Sequence, residues 1–119
     1  MAMTTDSDPA VRRDTMSELD DFRARYERHV GHVVDGDMKA AVAEMIQENI
    51  PAVFDGVDVP RGAVDGHRIV GVRADGDRMI GETVYTTEGR EIGLRSIWER
   101  RDGEWLAGAL QNFAPESVR

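Results

Sequence analysis

The sequence is most restrictive in what it leaves out. Its 119 residues include no cysteine, which excludes disulfide bonds, thiolate metal sites and a cysteine nucleophile. No apolar run approaches the roughly 20 residues that a membrane-spanning helix needs. The N-terminal segment up to Ser17 lacks the apolar core of a signal peptide. We therefore expect a cytoplasmic protein that does not enter a membrane.

Positive charge is also scarce. Lysine occurs once, as Lys39, and 15 lysines and arginines stand against 23 aspartates and glutamates, which gives a formal net charge of −8. A nucleic-acid-binding surface needs the opposite balance, as does contact with an anionic membrane. We expect neither partner. The length predicts a single folded domain with a hydrophobic core.

Glycine directly after an acidic residue, in contrast, occurs six times. In the C-terminal half these pairs separate stretches rich in β-branched and apolar residues. An Asp-Gly pair between two such stretches is typical of a tight β-hairpin turn, because glycine adopts a positive φ without steric cost. The pattern predicts an antiparallel meander of four strands, over 67–74, 78–86, 90–100 and 104–113.

The N-terminal half has helical periodicity instead. After a capping box at Ser17, apolar residues recur every three or four positions up to Gly36, a residue suited to ending a helix. They are Leu19, Phe22, Tyr26, Val30 and Val33. A second helix is predicted over 38–48, capped by Asp37.

Residues 1–16 are polar and predict a flexible tail. The folded domain is expected over 17–114, and 115–119 is expected to be a C-terminal tail.

The length of the hairpin loops decides which side chains share a face of the sheet, because a shift of one residue turns a strand over. Three-residue loops at Gly89 and Gly103 place Glu82 on an apolar face. Two-residue loops place Glu82 opposite Arg95 as a cross-strand ion pair. We favour three-residue loops, because the same choice at both turns collects the large apolar side chains on one face. They are Ile80, Val84, Ile92, Leu94, Trp98, Leu106 and Leu110.

Two N-terminal helices followed by a meander that ends in IWERRDGEW, at 97–105, resemble the nuclear transport factor 2-like superfamily. The bacterial SnoaL-like branch is the most similar. The resemblance covers about 18–113. It implies an α+β fold in which N-terminal helices pack on a curved antiparallel meander sheet, forming a cone-like α+β barrel.

The resemblance also implies a small apolar ligand inside the cone and a homodimer formed through the outer sheet face. Tyr85, Ile97 and Trp105 are the residues expected at that interface, where aromatic and apolar side chains are common. No cofactor is expected.

Glu82 and Tyr26 are the catalytic candidates. A glutamate between Ile80 and Val84 on an apolar face would be desolvated, which raises its pKa and suits a general base. Its alternative role is an ion pair with Arg95 or Arg73. The place of Tyr26 on the first helix is comparable with that of the tyrosine that stabilises the enolate oxygen in related isomerases. A core aromatic residue is the alternative for Tyr26.

Five further residues are expected to line the ligand site. They are Phe22, His29, Ser96, Trp98 and Asn112. His29 and His32 are neighbours on one helix face, but the sequence offers no clear third ligand, so no metal site is expected. The two tryptophans are expected to pack rather than to react.

The sequence leaves two functions open. The first is a small-molecule-binding SnoaL-like domain that catalyses an acid–base isomerisation, cyclisation or dehydration of an apolar ligand. The second is a non-catalytic dimerisation or accessory domain whose cone is filled by its own side chains. Fold alone does not choose between them.

Overall fold

The computed structural model of the chain describes residues 2–62 and 64–118, with side chains from Glu18 onwards. The predicted N-terminal tail and the capping box at Ser17 lie outside the residues whose side chains are described. The first helix, α1, spans Ala2–Val34, so it does not begin at Ser17, where the capping box predicted its start. Its predicted apolar face is buried from Phe22 to Val33, as the periodicity indicates.

The helical hairpin forms as predicted at its turn. Gly36 has a φ of 76° and donates its N–H to the carbonyl of Val33, which ends α1. The side chain of Asp37 then accepts the N–H of Ala40 and caps the second helix, α2, at Met38–Ala43.

The second helix is shorter than the predicted 38–48. After Ala43 the chain turns to pair with the sheet, because Ile46 donates to the carbonyl of Ala107 at 2.8 Å and Ala107 donates to Glu44 at 3.1 Å. Short 3₁₀ helices follow at Gln47–Asn49 and Ala52–Phe54.

Four antiparallel strands form an open sheet in sequence order, and α1 packs against it. The architecture is therefore α+β. The strands are β1 (Gly66–Asp75), β2 (Arg78–Thr87), β3 (Arg90–Arg101) and β4 (Glu104–Phe113). Each end lies within one residue of its predicted position. A final 3₁₀ turn spans Pro115–Val118.

The hairpin loops have two residues, so the three-residue prediction was wrong. Arg101 pairs with Glu104 and Thr87 pairs with Arg90. In the loops at Gly89 and Gly103 both central residues have positive φ; at the last loop the values are 51° for Asp102 and 82° for Gly103. This is the conformation of type I′ turns, whose twist matches that of the flanking strands.

The corrected register exchanges side chains between the two faces. We call the face against α1 the inner face and the opposite one the outer face. The outer face carries the predicted core residues Ile80, Glu82, Val84 and Leu106, whereas Thr83, Tyr85 and Trp105 lie on the inner face. Tyr85 and Trp105 are thus buried core residues rather than exposed interface residues, and Ile97 alone of the three stays on the outer face.

One irregularity restores part of the predicted pattern. β3 and β4 lose register between Ile97 and Trp98, and Gly108 is the extra residue on β4. Beyond this bulge, Leu110 pairs with Ser96 and Asn112 pairs with Leu94, so both lie on the inner face as predicted.

Aromatic side chains fill the centre of the inner face. Phe22 and Tyr26 of α1 stack at 5.9 Å between ring centroids, and Trp98 meets Phe22 edge-on at 5.5 Å. Trp105 contacts Phe22 from the other side at 5.7 Å. These four rings form the core that joins α1 to the sheet.

Candidate functional site

Glu82 lies on the outer face, between two arginines. Its carboxylate accepts from Nε of Arg95 at 2.6 Å and from Arg73 at 2.9 Å. Burial pushes the pKa of Glu82 upward, but the hydrogen bonds and charges of Arg95 and Arg73 outweigh it and lower the pKa below its usual range. The side chain is therefore an ionised, paired carboxylate, which matches the ion-pair alternative.

Tyr26 lies on the inner face, and its hydroxyl is occupied. The phenol oxygen and Oγ1 of Thr83 are 2.6 Å apart and buried. Burial raises the pKa of Tyr26 well above its usual value, although Thr83 and Ser96 offset part of the rise. The phenol thus stays protonated, with its hydrogen-bonding capacity turned toward the sheet.

Three predicted ligand residues belong to the same packed interior. Trp98 is fully buried, and its indole N–H donates to Oγ of Ser96 at 2.7 Å. Phe22 is fully buried between the two tryptophans. The structure therefore brings Phe22, Tyr26, Ser96 and Trp98 together in the core.

Asn112 joins β4 to the loop before β1. Its side-chain oxygen accepts the N–H of Asp58 at 2.7 Å, and its amide donates to the carbonyls of Asp58 and Gly93. Arg90 pairs with the Asp58 carboxylate. Each of these hydrogen bonds joins the Asn112 side chain to a backbone group. Asn112 therefore holds the backbone at Asp58 and Gly93 in place.

An apolar pocket lies between the helical hairpin, the chain from the 3₁₀ helix Ala52–Phe54 to Pro60, and the inner face of β3 and β4. Its volume is about 30 Å³. Of the described residues that line it, His29 alone carries a polar side chain. The lining residues are His29, Val33, Met38, Ala41, Val42, Met45, Phe54, Val59, Pro60, Leu94 and Leu110. Neither Glu82 nor Tyr26 is among them.

His29 is held in place by two contacts. Its Nδ1 lies 3.1 Å from Oε1 of Glu44, and its ring meets Trp98 edge-on at 5.0 Å. Both His29 and Glu44 are 8% exposed. The histidine that lines the pocket is therefore paired with a buried carboxylate behind it, an arrangement that fixes the orientation of a histidine ring.

Two arginines of α1 complete the environment of Glu44. Arg25 lies 3.3 Å and Arg28 3.5 Å from Oε2 of Glu44, and His32 lies at 4.0 Å. Burial pushes the pKa of Glu44 upward, but the hydrogen bond from His29 and the nearby positive charges outweigh it, so the pKa is lowered. Glu44 is an ionised hydrogen-bond acceptor.

The sequence reasoning missed Glu44, although a signal for it exists. In an antiparallel helical hairpin that turns at Gly36, residues at similar distances before and after the turn face each other. Glu44 comes eight residues after Gly36 and His29 comes seven before it. Pairing across the hairpin would have placed the two side chains together.

A separate open groove of about 490 Å³ runs along β4. Asp55 and Asn49 line it, and Asn49 donates to the carbonyl of Gly108 at 2.9 Å. Leu110 lines both this groove and the His29 pocket, so the two adjoin at β4.

Metal binding was also considered for His29 and His32. Over 18–62 and 64–118, where side chains are described, no group of three or more potential ligand side chains is placed to hold a metal ion. Within the same part of the chain, no helix is long and apolar enough to cross a membrane. Compared with known proteins, the chain matches no family model, no curated protein and no solved structure.

Proposed function

We propose that this chain is a small-molecule-binding domain of the nuclear transport factor 2-like type, SnoaL-like branch, and that it holds an apolar ligand in the His29 pocket. The order of its elements supports the proposal: a helical hairpin precedes a four-stranded antiparallel meander, and α1 packs against that sheet. A cone-like enclosure is part of the same proposal.

The pocket lining carries the proposal. Apolar walls with one well-placed polar group are typical of sites for small ligands. The volume of about 30 Å³ accommodates little more than water, so a ligand must displace side chains. Met38 and Met45 are suited to this, because unbranched methionine side chains change rotamer easily.

The proposal assigns no reaction to the pair Glu82 and Tyr26. A ligand in the His29 pocket lies on the inner face, whereas Glu82 lies on the outer face between Arg73 and Arg95. Isomerisation, cyclisation or dehydration would have to use groups of the pocket itself, and His29 is the candidate acid–base group there.

Titration with toluene, followed by NMR, tests the binding. We expect chemical-shift changes concentrated at Val33, Leu94 and Leu110. Ala41→Leu should weaken binding by filling the pocket, whereas Ala43→Leu, the same change at an exposed site on the same helix, should not. Unchanged spectra, or shifts spread evenly over the surface, would refute the proposal.

The second candidate is a non-catalytic dimerisation domain. The observation that favours it is a set of half-buried apolar side chains on the outer face, at Ile97, Leu106, Ala109 and Phe113. Apolar side chains gathered on one sheet face are typical of interaction surfaces. A second copy of the chain would cover it by pairing outer face with outer face.

Sedimentation gives the test for the dimer. A mass twice the 13.2 kDa of one chain is expected, reduced to one chain by Ile97→Asp. Ala43→Asp adds the same charge at an exposed helical site and should leave the dimer intact. A wild-type mass of 13.2 kDa at high concentration would rule this candidate out.

A further inference from the structure

The two ring nitrogens of His29 have different surroundings. Nδ1 faces the carboxylate of Glu44 at 3.1 Å. Among the described residues, no hydrogen-bond partner contacts Nε2, although the side chain is nine-tenths buried and lines the apolar pocket. A ring nitrogen that has no protein partner and belongs to a residue lining an apolar pocket is a polar group that a ligand can satisfy.

Glu44 decides which nitrogen carries the proton. An ionised carboxylate only accepts hydrogen bonds, so Nδ1 of His29 must be the donor in that contact. Arg25 and Arg28 also contact the carboxylate. In the neutral ring, Nε2 is then unprotonated and acts as a hydrogen-bond acceptor.

We infer that the pocket selects apolar ligands that carry one hydroxyl group, which donates its hydrogen bond to Nε2 of His29. The inference rests on the proposed function, since it needs a ligand in this pocket. A ligand whose polar group is a carbonyl or an ether gains nothing, because two acceptors would face each other. Glu44 is a positioning residue that keeps Nε2 an acceptor.

Phenol and toluene form the matched probe pair, because they share a ring and differ by a hydroxyl against a methyl group. Binding of both is measured by NMR at about pH 8, where an imidazole is ordinarily neutral. In His29→Phe the acceptor is lost and an aromatic ring is kept, and the comparison of two probes of similar size in the same variant allows for the slightly larger phenyl ring. We expect the ratio of the toluene Kd to the phenol Kd to fall about fivefold to tenfold in this variant.

A second measurement uses the wild-type protein alone, so it stands even where His29→Phe fails to fold. In ¹⁵N-histidine-labelled protein, Nδ1 of His29 should carry the proton, and the Nε2 resonance should move with phenol and not with toluene. Glu44→Gln should weaken the phenol preference and mix the two tautomers. Glu48→Gln, an exposed glutamate a few residues along the chain, is its matched control.

The outcomes separate the two proposals. If toluene binds but the Kd ratio is the same in wild type and His29→Phe, or Nε2 does not respond to phenol, the hydroxyl selection is wrong and the binding function stands. If neither probe binds at Leu94 and Leu110, the proposed function fails and this inference fails with it.

Discussion

The two faces of the sheet each bury a glutamate, and the comparison of Glu44 with Glu82 is instructive. Both residues are 8% exposed, both contact two arginines, and both have a lowered pKa. Their other surroundings differ. Glu44, at the inner side, also holds His29, whose ring lines an apolar pocket. Glu82, on the outer face, lies between Arg73 and Arg95.

The difference shows that a buried, perturbed carboxylate does not by itself mark a functional site. Ion-pair networks shift pKa values as effectively as active sites do. What distinguishes Glu44 is the position of the group it orients. Arg73 and Arg95 hold the charge of Glu82 on the outer face, whereas a histidine at a pocket can bind a ligand or move a proton.

The largest expected effect is the difference in stability between two glycine substitutions, one on each face of the sheet. A Cβ on Gly81, on the inner face, would overlap the ring of Tyr26, whereas one on Gly71, on the outer face, would meet no atom within 4 Å. We predict that Gly81→Ala destabilises the fold by about 3 kcal/mol, because the ring must move away from Thr83. Chemical denaturation measures it.

Gly71→Ala is the control for that measurement and should change the free energy of unfolding by less than about 0.5 kcal/mol. Equal effects of the two substitutions would mean that α1 does not pack as closely on the inner face as the Tyr26–Gly81 contact requires.

The sequence predicted the strands better than their faces, for a physical reason. Asp-Gly and Glu-Gly mark where a hairpin turns, and all four strands lie within one residue of their predicted bounds. Loops of two and three residues are both compatible with Asp102-Gly103, and they differ by one residue in register. That one residue moved Glu82 from the predicted inner face to the outer face.

Predicting the pocket required tertiary information that local patterns do not carry. His29 was expected at a ligand site, and it lies at the pocket. Its partner Glu44 belongs to a stretch predicted as plain amphipathic helix. The pairing of Ile46 with Ala107 ends that helix early, and a contact so distant in sequence leaves no periodic trace.

Loss of the two carboxylates should affect stability unequally. Glu44→Gln should cost about 2 kcal/mol, because Arg25 and His29, which are mostly buried, lose their charged acceptor. Glu82→Gln should cost about 1 kcal/mol, because Arg73 is half exposed and water replaces the lost contact. Urea titrations of both variants at neutral pH measure the difference, and a larger loss in Glu82→Gln would reverse the comparison.

A smaller effect is expected at the hydroxyl pair of the inner face. Tyr26→Phe should cost about 1 kcal/mol, because the fully buried Thr83 loses a partner at 2.6 Å. Thr83→Val should cost a similar amount. The double variant should lose less than the sum of the two, since either single change leaves one polar group unsatisfied. Strict additivity would show that the two hydroxyl groups do not interact.

The smallest effect concerns the pH dependence of stability. The folded-state pKa of both Glu44 and Glu82 is lowered, so folding favours their ionised forms. The stability that each contributes is present above the unfolded-state pKa of about 4.5 and is lost as the pH falls through the folded-state value. Wild-type stability should therefore decrease on acidification below about pH 5.

Each glutamine variant should show a flatter decrease than the wild type over the same acid range, because glutamine does not titrate. The free energy of unfolding from urea titrations between about pH 7 and pH 3 gives the slopes. A Glu82→Gln curve parallel to the wild-type curve would mean that Arg73 and Arg95 do not stabilise the charge of Glu82. The same result for Glu44→Gln would mean that Glu44 is not the ionised acceptor on which the orientation of His29 depends.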